Sequence, residues 1–398
     1  MVILRQMIPS PKRFWSTTKL RVICLSMWLA ILMATLWPFD PLPSNEVNWL
    51  PGTNGVHFGR HGIVTSAGAF RREAARDTQS SSVEILLRAG TETEVHTFLG
   101  FYAPGDLLPF ELRQYGDGLL IFRRSRDGQN RVNSAEIDVE HVFHHGQFTM
   151  IAITSGARGT EVYLNGELAQ TAPGYHIFPS NFSGQLLLGA APINYDAWSG
   201  DVRELAFYSR ELSAAQVRQH FSEASRTVTQ IADTSENTLA EYLFNEGAGT
   251  IVHDRISSGP NLEIAKHFQV PYKWFLAPPW KEITPLWIYV DDIVRNVVGF
   301  VPLGMLLYLY LLRVHGKRRA ILEAIVLGGL TSLGIEILQW FIPQRDSGIT
   351  DIITNTSGTG LGVLLLQPRP IRVMLETLGV MSTPRDAASC EHGDVDAA

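Results

Sequence analysis

The sequence predicts two fold classes in one chain: an all-α membrane domain of four helices, and an all-β sandwich inserted between the first and second of these helices. Apolar runs stand near the N-terminus and in the last third of the 398 residues. Between them lie short strand-like runs separated by turn residues. Charged residues make up 18% of the chain, where about 25% is usual. This composition and length fit membrane helices combined with a separate soluble domain.

The charge and cysteine content exclude several classes of function. The chain has 39 acidic and 33 basic residues, a formal net charge of −6, so nucleic acid is excluded as a main partner. Its two cysteines are Cys24, inside an apolar run, and Cys390, near the end of the chain. We therefore predict neither a structural disulfide nor a cysteine-ligated zinc site.

The first predicted membrane helix is the uncharged run 22–39, which follows a basic arm, residues 1–21, without an acid. A signal peptide is the alternative, but the exit Trp37-Pro38-Phe39 is a poor cleavage site. The other three predicted helices form a membrane domain over residues 290–366, and the last of them is only marginally long enough to cross ~30 Å of hydrocarbon. Their ranges are 294–312, 320–342 and 352–366.

Basic residues indicate the orientation of these spans. They precede the first span, fill the loop between the second and third, and follow the fourth. The positive-inside rule makes that face cytoplasmic. The sequence thus predicts a multi-pass protein of the cell inner or plasma membrane. Both termini, including a tail at 367–398, are predicted in the cytoplasm, and the β domain, 45–270, outside.

The β domain has a hairpin signal in Asn165-Gly166, since a type I′ turn requires positive φ at both central residues. Short strands at regular spacing predict a sandwich. The run 213–221 is amphipathic and predicts one short helix, with Ser213 as its cap.

The segments VYLNGEL at 162–168 and WSGDVRELAFYSRELS at 198–213, with Gly189 between them, resemble the laminin-G-like, concanavalin A-like jelly roll. This resemblance covers roughly residues 50–225. EYLFNEGAGT at 241–250, followed by Asp254, is similar to the strand that opens such domains, yet here it comes last. We therefore predict that the chain to about residue 268 completes the sandwich as in a permutation.

The membrane region resembles VanZ-like membrane proteins, a family whose founding member is associated with resistance to a glycopeptide antibiotic. The resemblance implies that run 22–39 is the family's first helix and that the β domain is an insertion. It implies no reaction. The residues that carry it are Asp292, Arg295, Asn296, the segment 299–304, Ser332, Glu336, Gln339, Pro343, Arg345, Asp351, Asn355, Gly358 and Gly362.

Polar residues near the outer ends of the spans form the candidate membrane site. A charge in hydrocarbon costs roughly 3 kcal/mol, so Glu336 needs partners, and we expect the set to converge, with Arg295 and Arg345 offsetting the acids. The cluster is interpreted either as a pocket for an amphiphile or as a network that only fixes helix packing. Its members are Asp292, Arg295, Asn296, Ser332, Glu336, Gln339, Arg345, Asp351 and Asn355.

A second, weaker motif lies in the β domain. Glu136, Asp138 and Glu140 share one face of a strand, as in retaining glycosidases of the concanavalin-like fold, or they are solvated acids of an alternating strand. The neighbouring His141, His144 and His145 fit a solvated turn better than a metal site. Calcium is common in laminin-G-like folds, but the sequence identifies no ligand set.

The sequence thus predicts a non-enzymatic recognition protein. Its expected partners are a membrane lipid or lipid-linked envelope precursor, and a glycan or protein ligand of the β domain. No cofactor is predicted. The alternatives are a membrane hydrolase or transferase that uses Glu336 and Asp351, a glycosidase that uses Glu136 and Glu140, and a protein-binding scaffold.

Overall fold

The computed structural model of the chain divides into two compact units, a β unit, Leu42–Lys273, and a helical unit formed by the chain before and after it. Residues 1–14 of the predicted arm and 382–398 of the predicted tail lie outside the described residues. The structure describes residues 15–70, 79–91, 94–102, 109–126, 132–192, 195–224, 237–281 and 286–381.

The β unit is a sandwich of two antiparallel sheets, as the sequence predicts. The first sheet has the order β1-β2-β13-β4-β9-β10-β11, with β14 also paired to β13, and the second has the order β15-β16-β3-β12-β5-β6-β7-β8. The strands are β1 Val47–Trp49, β2 Val56–Phe58, β3 Val64–Ser66, β4 Ser81–Ala89, β5 Val95–Tyr102, β6 Phe110–Tyr115, β7 Gly118–Arg126, β8 Val132–Val139, β9 Thr149–Gly156, β10 Gly159–Leu164, β11 Glu167–Ala172, β12 Gln185–Leu188, β13 Gly200–Tyr208, β14 Thr238–Tyr242, β15 Ile251–Val252 and β16 Leu262–Glu263.

The hairpin predicted from Asn165-Gly166 joins β10 to β11. Both residues have positive φ, 51° and 83°, as a type I′ turn requires. Between the sheets, Trp198 is fully buried against Phe58 and Phe98, and its indole N–H donates to Gln114 Oε1 at 2.6 Å. The one polar atom of this large side chain is therefore satisfied inside the core.

The late strand predicted around residue 241 is confirmed. β14 pairs with β13, and β16 pairs with β3 in the other sheet, so the chain after β13 extends both sheets. Asp254 fixes the connection, because its carboxylate accepts backbone N–H groups of Glu241 at 2.8 Å and Gly259 at 2.7 Å. The segment is part of the sandwich rather than a linker.

The predicted short helix is α2, Ala214–Ala224, and the Ser213 hydroxyl accepts the N–H of Gln216 at 3.4 Å. Val217 of α2 packs on Ala206 and Ala152 of the first sheet. α2 thus covers part of that sheet's outer face.

The helical unit contains α1 Thr17–Thr35, α3 Leu286–Val314, α4 Lys317–Trp340, α5 Ile349–Leu365 and α6 Arg369–Thr377. In the described part of the chain, three helices are long and apolar enough to cross a membrane: α1, residues 289–314 of α3, and α4. α5 has 17 residues, so it rises ~25 Å, less than ~30 Å of hydrocarbon. The prediction of four spans is therefore approximate.

Two helix ends differ from the sequence prediction for local reasons. α1 begins and ends earlier than run 22–39, because Ser16 caps it by accepting the Lys19 N–H at 3.2 Å, and the chain leaves the helix before Pro38. The predicted tail also contains structure, since α6 follows α5 after a short turn.

Glycines allow α5 to lie directly against α3. A Cβ at Gly358 would collide with the Val297 carbonyl, and one at Gly362 with the Val301 carbonyl. The Gly358-x-x-x-Gly362 spacing places both glycines on one face of α5, which permits this close approach. It brings polar groups of the two helices within hydrogen-bonding distance of each other.

We predict that residues 42–273 fold as an isolated fragment and that a fragment ending at residue 224 is much less stable. The shorter fragment loses Tyr242, Phe244 and Leu262, all fully buried, and uncovers an edge of β13. Removing one large core side chain alone costs about 3–5 kcal/mol. Urea unfolding followed by tryptophan fluorescence measures the difference. Equal unfolding midpoints would show that the late strands add nothing.

Candidate functional site

Polar side chains from three helices lie at one end of the helical unit, in a group that we call the polar cluster: Asn296 of α3, Ser332 and Glu336 of α4, and Asp351 and Asn355 of α5. Asn296 donates from Nδ2 to Asp351 Oδ1 at 2.7 Å. Asn355 donates from Nδ2 to the Ser332 hydroxyl at 3.0 Å. The cluster thus joins all three helices.

Burial differs across the polar cluster. Ser332 and Glu336 are at most 1% exposed and Asn355 is 4% exposed, whereas Asn296 and Asp351 are half-buried at its rim. The Asn355 Oδ1 atom is buried and has no hydrogen-bond partner among the described residues. A buried acceptor left in this state costs about 1–3 kcal/mol. It can be satisfied by a hydroxyl or amino group that enters the cluster.

Glu336 supplies the cap that the sequence of α5 lacks. Gly348 at the helix N-cap has no side chain, and its N–H donates to Glu336 Oε2 at 2.8 Å. The carboxylate therefore lies at the positive end of the α5 dipole, which favours negative charge. Next to it, the extended segment before α3 pairs with the α4–α5 loop through Ala277 N–H and the Ser347 carbonyl at 2.7 Å.

Gln339 and Arg345 contact the C-terminal end of α1. Gln339 donates from Nε2 to the Thr35 carbonyl at 3.0 Å, and Arg345 donates from Nε to the Trp37 carbonyl at 3.0 Å. The last carbonyls of a helix have no partner within it. Gln339 and Arg345 therefore donate hydrogen bonds to carbonyls at the C-terminal end of α1. These bonds attach that end to the last turn of α4 and to the loop that follows it.

The expectation that Arg295 offsets the buried acids is wrong. Its side chain is 75% exposed and its Nε pairs with Asp291 Oδ2 at 2.7 Å. Consecutive helical residues point about 100° apart, so Asn296 can face the cluster while Arg295 faces outward. Asp292 is also exposed.

The acids Glu136, Asp138 and Glu140 lie on or next to β8, the outermost strand of its sheet, and all three are exposed. The residues between them, Ile137 and Val139, are buried, as the alternating pattern requires. The adjacent His141 is paired with Asp117 at 2.7 Å. Among the described residues, no group of three or more His, Cys, Asp and Glu side chains is arranged to hold a metal ion.

The sandwich brings together three acids that the sequence analysis did not select: Glu84, Glu204 and Glu241. Glu84 and Glu241 flank Ala206 of β13 on opposite sides, and Glu204 lies two residues before it on the same face. They line a shallow cavity of about 10 Å³, room for one water molecule. Glu84 and Glu241 alternate with core residues in their strands, and Glu204 follows a register shift in β13, so the sequence predicts only that each side chain faces outward.

Burial controls the charges of this acidic cavity. Burial, together with the charges of Glu241 and Glu84, raises the pKa of Glu204 to about 7. Glu84 Oε2 contacts the Tyr208 hydroxyl at 3.0 Å and His220 Nδ1 at 2.8 Å, while its Oε1 is buried without a partner in the described structure. Burial alone would lower the pKa of His220, but the hydrogen bond and charge of Glu84 raise it above its usual value.

A basic patch lies on the same outer face. The guanidinium groups of Arg88 and Arg203 lie 4.8 and 3.9 Å from the ring centroid of Phe148. Asp201 accepts from Arg88 Nε at 2.7 Å and contacts His57 Nδ1 at 2.7 Å. Arg203 has a buried Nε without a hydrogen-bond partner among the described atoms. Burial and the charge of Arg88 lower the pKa of Arg203, while the charges of Asp201 and Glu204 act in the opposite direction.

The comparisons with known families confirm both resemblances, each over its own part of the chain. Residues 225–371 match the model of the VanZ/LLP1 family, and residues 68–218 match the model of the concanavalin A-like lectin/glucanases superfamily. Together with the three candidate spans, these matches identify a membrane protein that carries a lectin-like sandwich. No curated protein matches the chain significantly.

Solved structures similar to the sandwich include binding domains of botulinum neurotoxins. The receptor binding domain of botulinum neurotoxin D is 14% identical, covers 46% of this chain and 47% of its own, and has a TM-score of 0.35. The ligand binding domain of serotype D in complex with N-acetylneuraminic acid is 14% identical, covers 45% of each chain, and has a TM-score of 0.33. The match spans less than half of those chains, and at these TM-scores we transfer no ligand from them.

We predict that Glu204→Gln stabilises the β unit at pH 8. The folded pKa of about 7 exceeds the ordinary value of 4.5, so the folded state holds the proton more tightly, and stability falls as the pH rises from 4.5 to 7. The neutral amide removes this loss, and the gain at pH 8 should be about 1–3 kcal/mol, with little change at pH 4. Urea unfolding of fragment 42–273 at both pH values measures it.

The exposed Glu136→Gln is the matched control and should change neither value. A Glu204→Gln variant with the wild-type pH dependence would contradict the assignment of the raised pKa to this carboxyl.

Proposed function

We propose that the protein is a non-enzymatic recognition protein of the cell envelope, whose polar cluster binds the headgroup of a membrane lipid or lipid-linked envelope component. The observation that carries the proposal is the buried Asn355 Oδ1 without a hydrogen-bond partner among the described residues, in a cluster that also contains Glu336 and Asp351. Ionisable groups buried within the membrane-spanning helices of membrane proteins commonly belong to functional sites.

The chemistry of the cluster restricts its ligand. Carboxylate oxygens and the Asn355 amide oxygen are all acceptors, so the ligand needs donors, either hydroxyl or ammonium groups. Asp351 and Asn296 are half-buried at the rim, which leaves a route for a headgroup. A lipid-linked sugar or an amino-bearing phospholipid has both the donors and the acyl chain that this position requires.

The orientation is also a proposal. Arg313, Lys317 and Arg369 lie at the helix ends opposite the polar cluster, and the positive-inside rule places that end, with both termini, in the cytoplasm. The cluster and the sandwich are then extracytoplasmic.

An impermeant thiol reagent applied to intact cells should leave Cys390 unlabelled.

For the polar cluster we predict that Asp351→Asn and Glu336→Gln lower the amount of co-purifying lipid roughly tenfold, which corresponds to about 1.4 kcal/mol of binding free energy. Both replacements keep an acceptor oxygen and similar volume, so the melting temperature should stay near that of the wild type. Mass spectrometry of lipids retained by the protein in mild detergent is the measurement.

Glu323→Gln is the matched control, because it makes the same change on the same helix at the opposite end, where Glu323 pairs with Arg319. If the variants lose lipid only in proportion to lost stability, the cluster is a packing network and the proposal fails. Unchanged lipid content in both variants would also reject it.

We further propose that the sandwich recognises an acidic group on a glycan through the basic patch. Arg203 lies in this patch with its guanidinium over the Phe148 ring, and a guanidinium binds carboxylate, sulfate or phosphate oxygens in a bidentate manner. Because one face of the Arg203 guanidinium stacks on the Phe148 ring, the N–H edge of the group is the part that would bind these oxygens.

Accordingly, Arg203→Gln should weaken the binding of fragment 42–273 to acidic glycans on an array by roughly tenfold, the loss expected for one charged hydrogen-bonded pair. Arg158→Gln is the control, since its side chain is 84% exposed at the β9–β10 turn. Equal glycan binding by the wild type and both variants would exclude the patch as the recognition site.

A further inference from the structure

The C-terminal helix α6 is strongly amphipathic. Its apolar stripe has the i, i+3, i+4, i+7 spacing of one helix face. The opposite face carries charged residues and a single valine. The stripe consists of Ile371, Met374, Leu375 and Leu378, and the opposite face of Arg369, Arg372, Val373 and Glu376.

Only two of the four side chains of the apolar stripe pack against the rest of the protein. Ile371 and Leu375 pack on the core of the helical unit formed around Tyr308 and Leu366. Met374 and Leu378 remain 53% and 59% exposed. The unit therefore presents two large apolar side chains next to helices that span the membrane.

Hydrogen bonds hold α6 at the ends of the spans. The Trp15 N–H donates to the Gly379 carbonyl at 2.8 Å, and the Arg313 guanidinium donates to the carbonyls of Val380, at 2.7 Å, and Trp15. These contacts join the chain just after α6 to the start of α1 and the end of α3. The apolar stripe therefore lies at the ends of the candidate membrane-spanning helices.

The same end of the helical unit is basic. Among the residues that the structure describes, eight Lys and Arg side chains lie there against two acids, and one of these acids, Glu323, is already paired with Arg319 and His315. Such a surface complements anionic headgroups. The basic residues are Lys19, Arg21, Arg313, Lys317, Arg318, Arg319, Arg369 and Arg372.

We propose that α6 is an interfacial helix that inserts Met374 and Leu378 at the acyl boundary and binds the phosphates of anionic phospholipids through Arg369, Arg372 and the basic residues beside them. A helix with an apolar face and a charged opposite face lies in the membrane plane in this way. This lipid surface is at the opposite end of the spans from the polar cluster, and it is independent of the ligand proposed there.

The insertion is tested on the full chain with Cys24→Ala and Cys390→Ser, carrying a fluorescent label at Met374→Cys or at Val373→Cys. These neighbours are equally exposed, 53% and 52%, but lie on different faces of α6. In nanodiscs of phosphatidylcholine and phosphatidylglycerol, acyl-chain spin labels should quench the label at 374 at least threefold more than that at 373.

Equal quenching at the two positions would overturn the proposal. So would a label at 374 that is shielded from aqueous iodide but not quenched by the lipid spin labels, because a protein partner or a second copy would then cover this face.

The anionic preference is tested with Arg369→Gln/Arg372→Gln. Phosphatidylglycerol should raise the melting temperature of the wild type above its value in phosphatidylcholine alone, and the double variant should lose at least half of that rise. The control, Arg60→Gln/Arg158→Gln, makes the same charge change in the β unit and should keep it. A full rise in the α6 double variant would overturn the role of these arginines.

Discussion

The hydrogen bond from the Gly348 N–H to the buried Glu336 carboxylate is the constraint on which the helical unit depends. A carboxylate buried among membrane helices is costly unless it is partnered, and an uncapped helix N-terminus is costly unless its N–H groups find an acceptor. The hydrogen bond between Gly348 and Glu336 gives both groups a partner. It fixes where α5 begins, which in turn places Asp351 against Asn296 of α3 and Asn355 against Ser332 of α4.

The close packing of α3 against α5 also brings the polar side chains of the two helices together. Gly358 and Gly362 remove side chains from the interface, so backbone touches backbone and short polar side chains can reach across it. A bulkier residue at either position would separate Asn296 from Asp351. Packing and polar contacts therefore support each other in this unit, although the buried Asn355 Oδ1 has no hydrogen-bond partner among the described residues.

In the sandwich, the corresponding constraint is one edge of β13, a strand inside the first sheet, which two short strands cover together. β13 pairs with β2 along its first residues and with β14 along its last, so a strand that arrives late in the chain covers backbone groups that would otherwise meet water. This arrangement also places Glu241 beside Glu84 and Glu204. The acidic cavity, with its raised Glu204 pKa, is thus a product of the order of the strands.

The sequence by itself determined the two fold classes, the hairpin at Asn165-Gly166 and the late strand, because each follows from local periodicity or turn chemistry. Only the tertiary structure decided that Arg295 faces outward, that Gln339 and Arg345 bind the end of α1, and that Glu84, Glu204 and Glu241 meet. Periodicity specifies the face on which a side chain lies, but the neighbour that satisfies it comes from a distant segment. The hydrogen bonds that a side chain forms, and its pKa, depend on that neighbour.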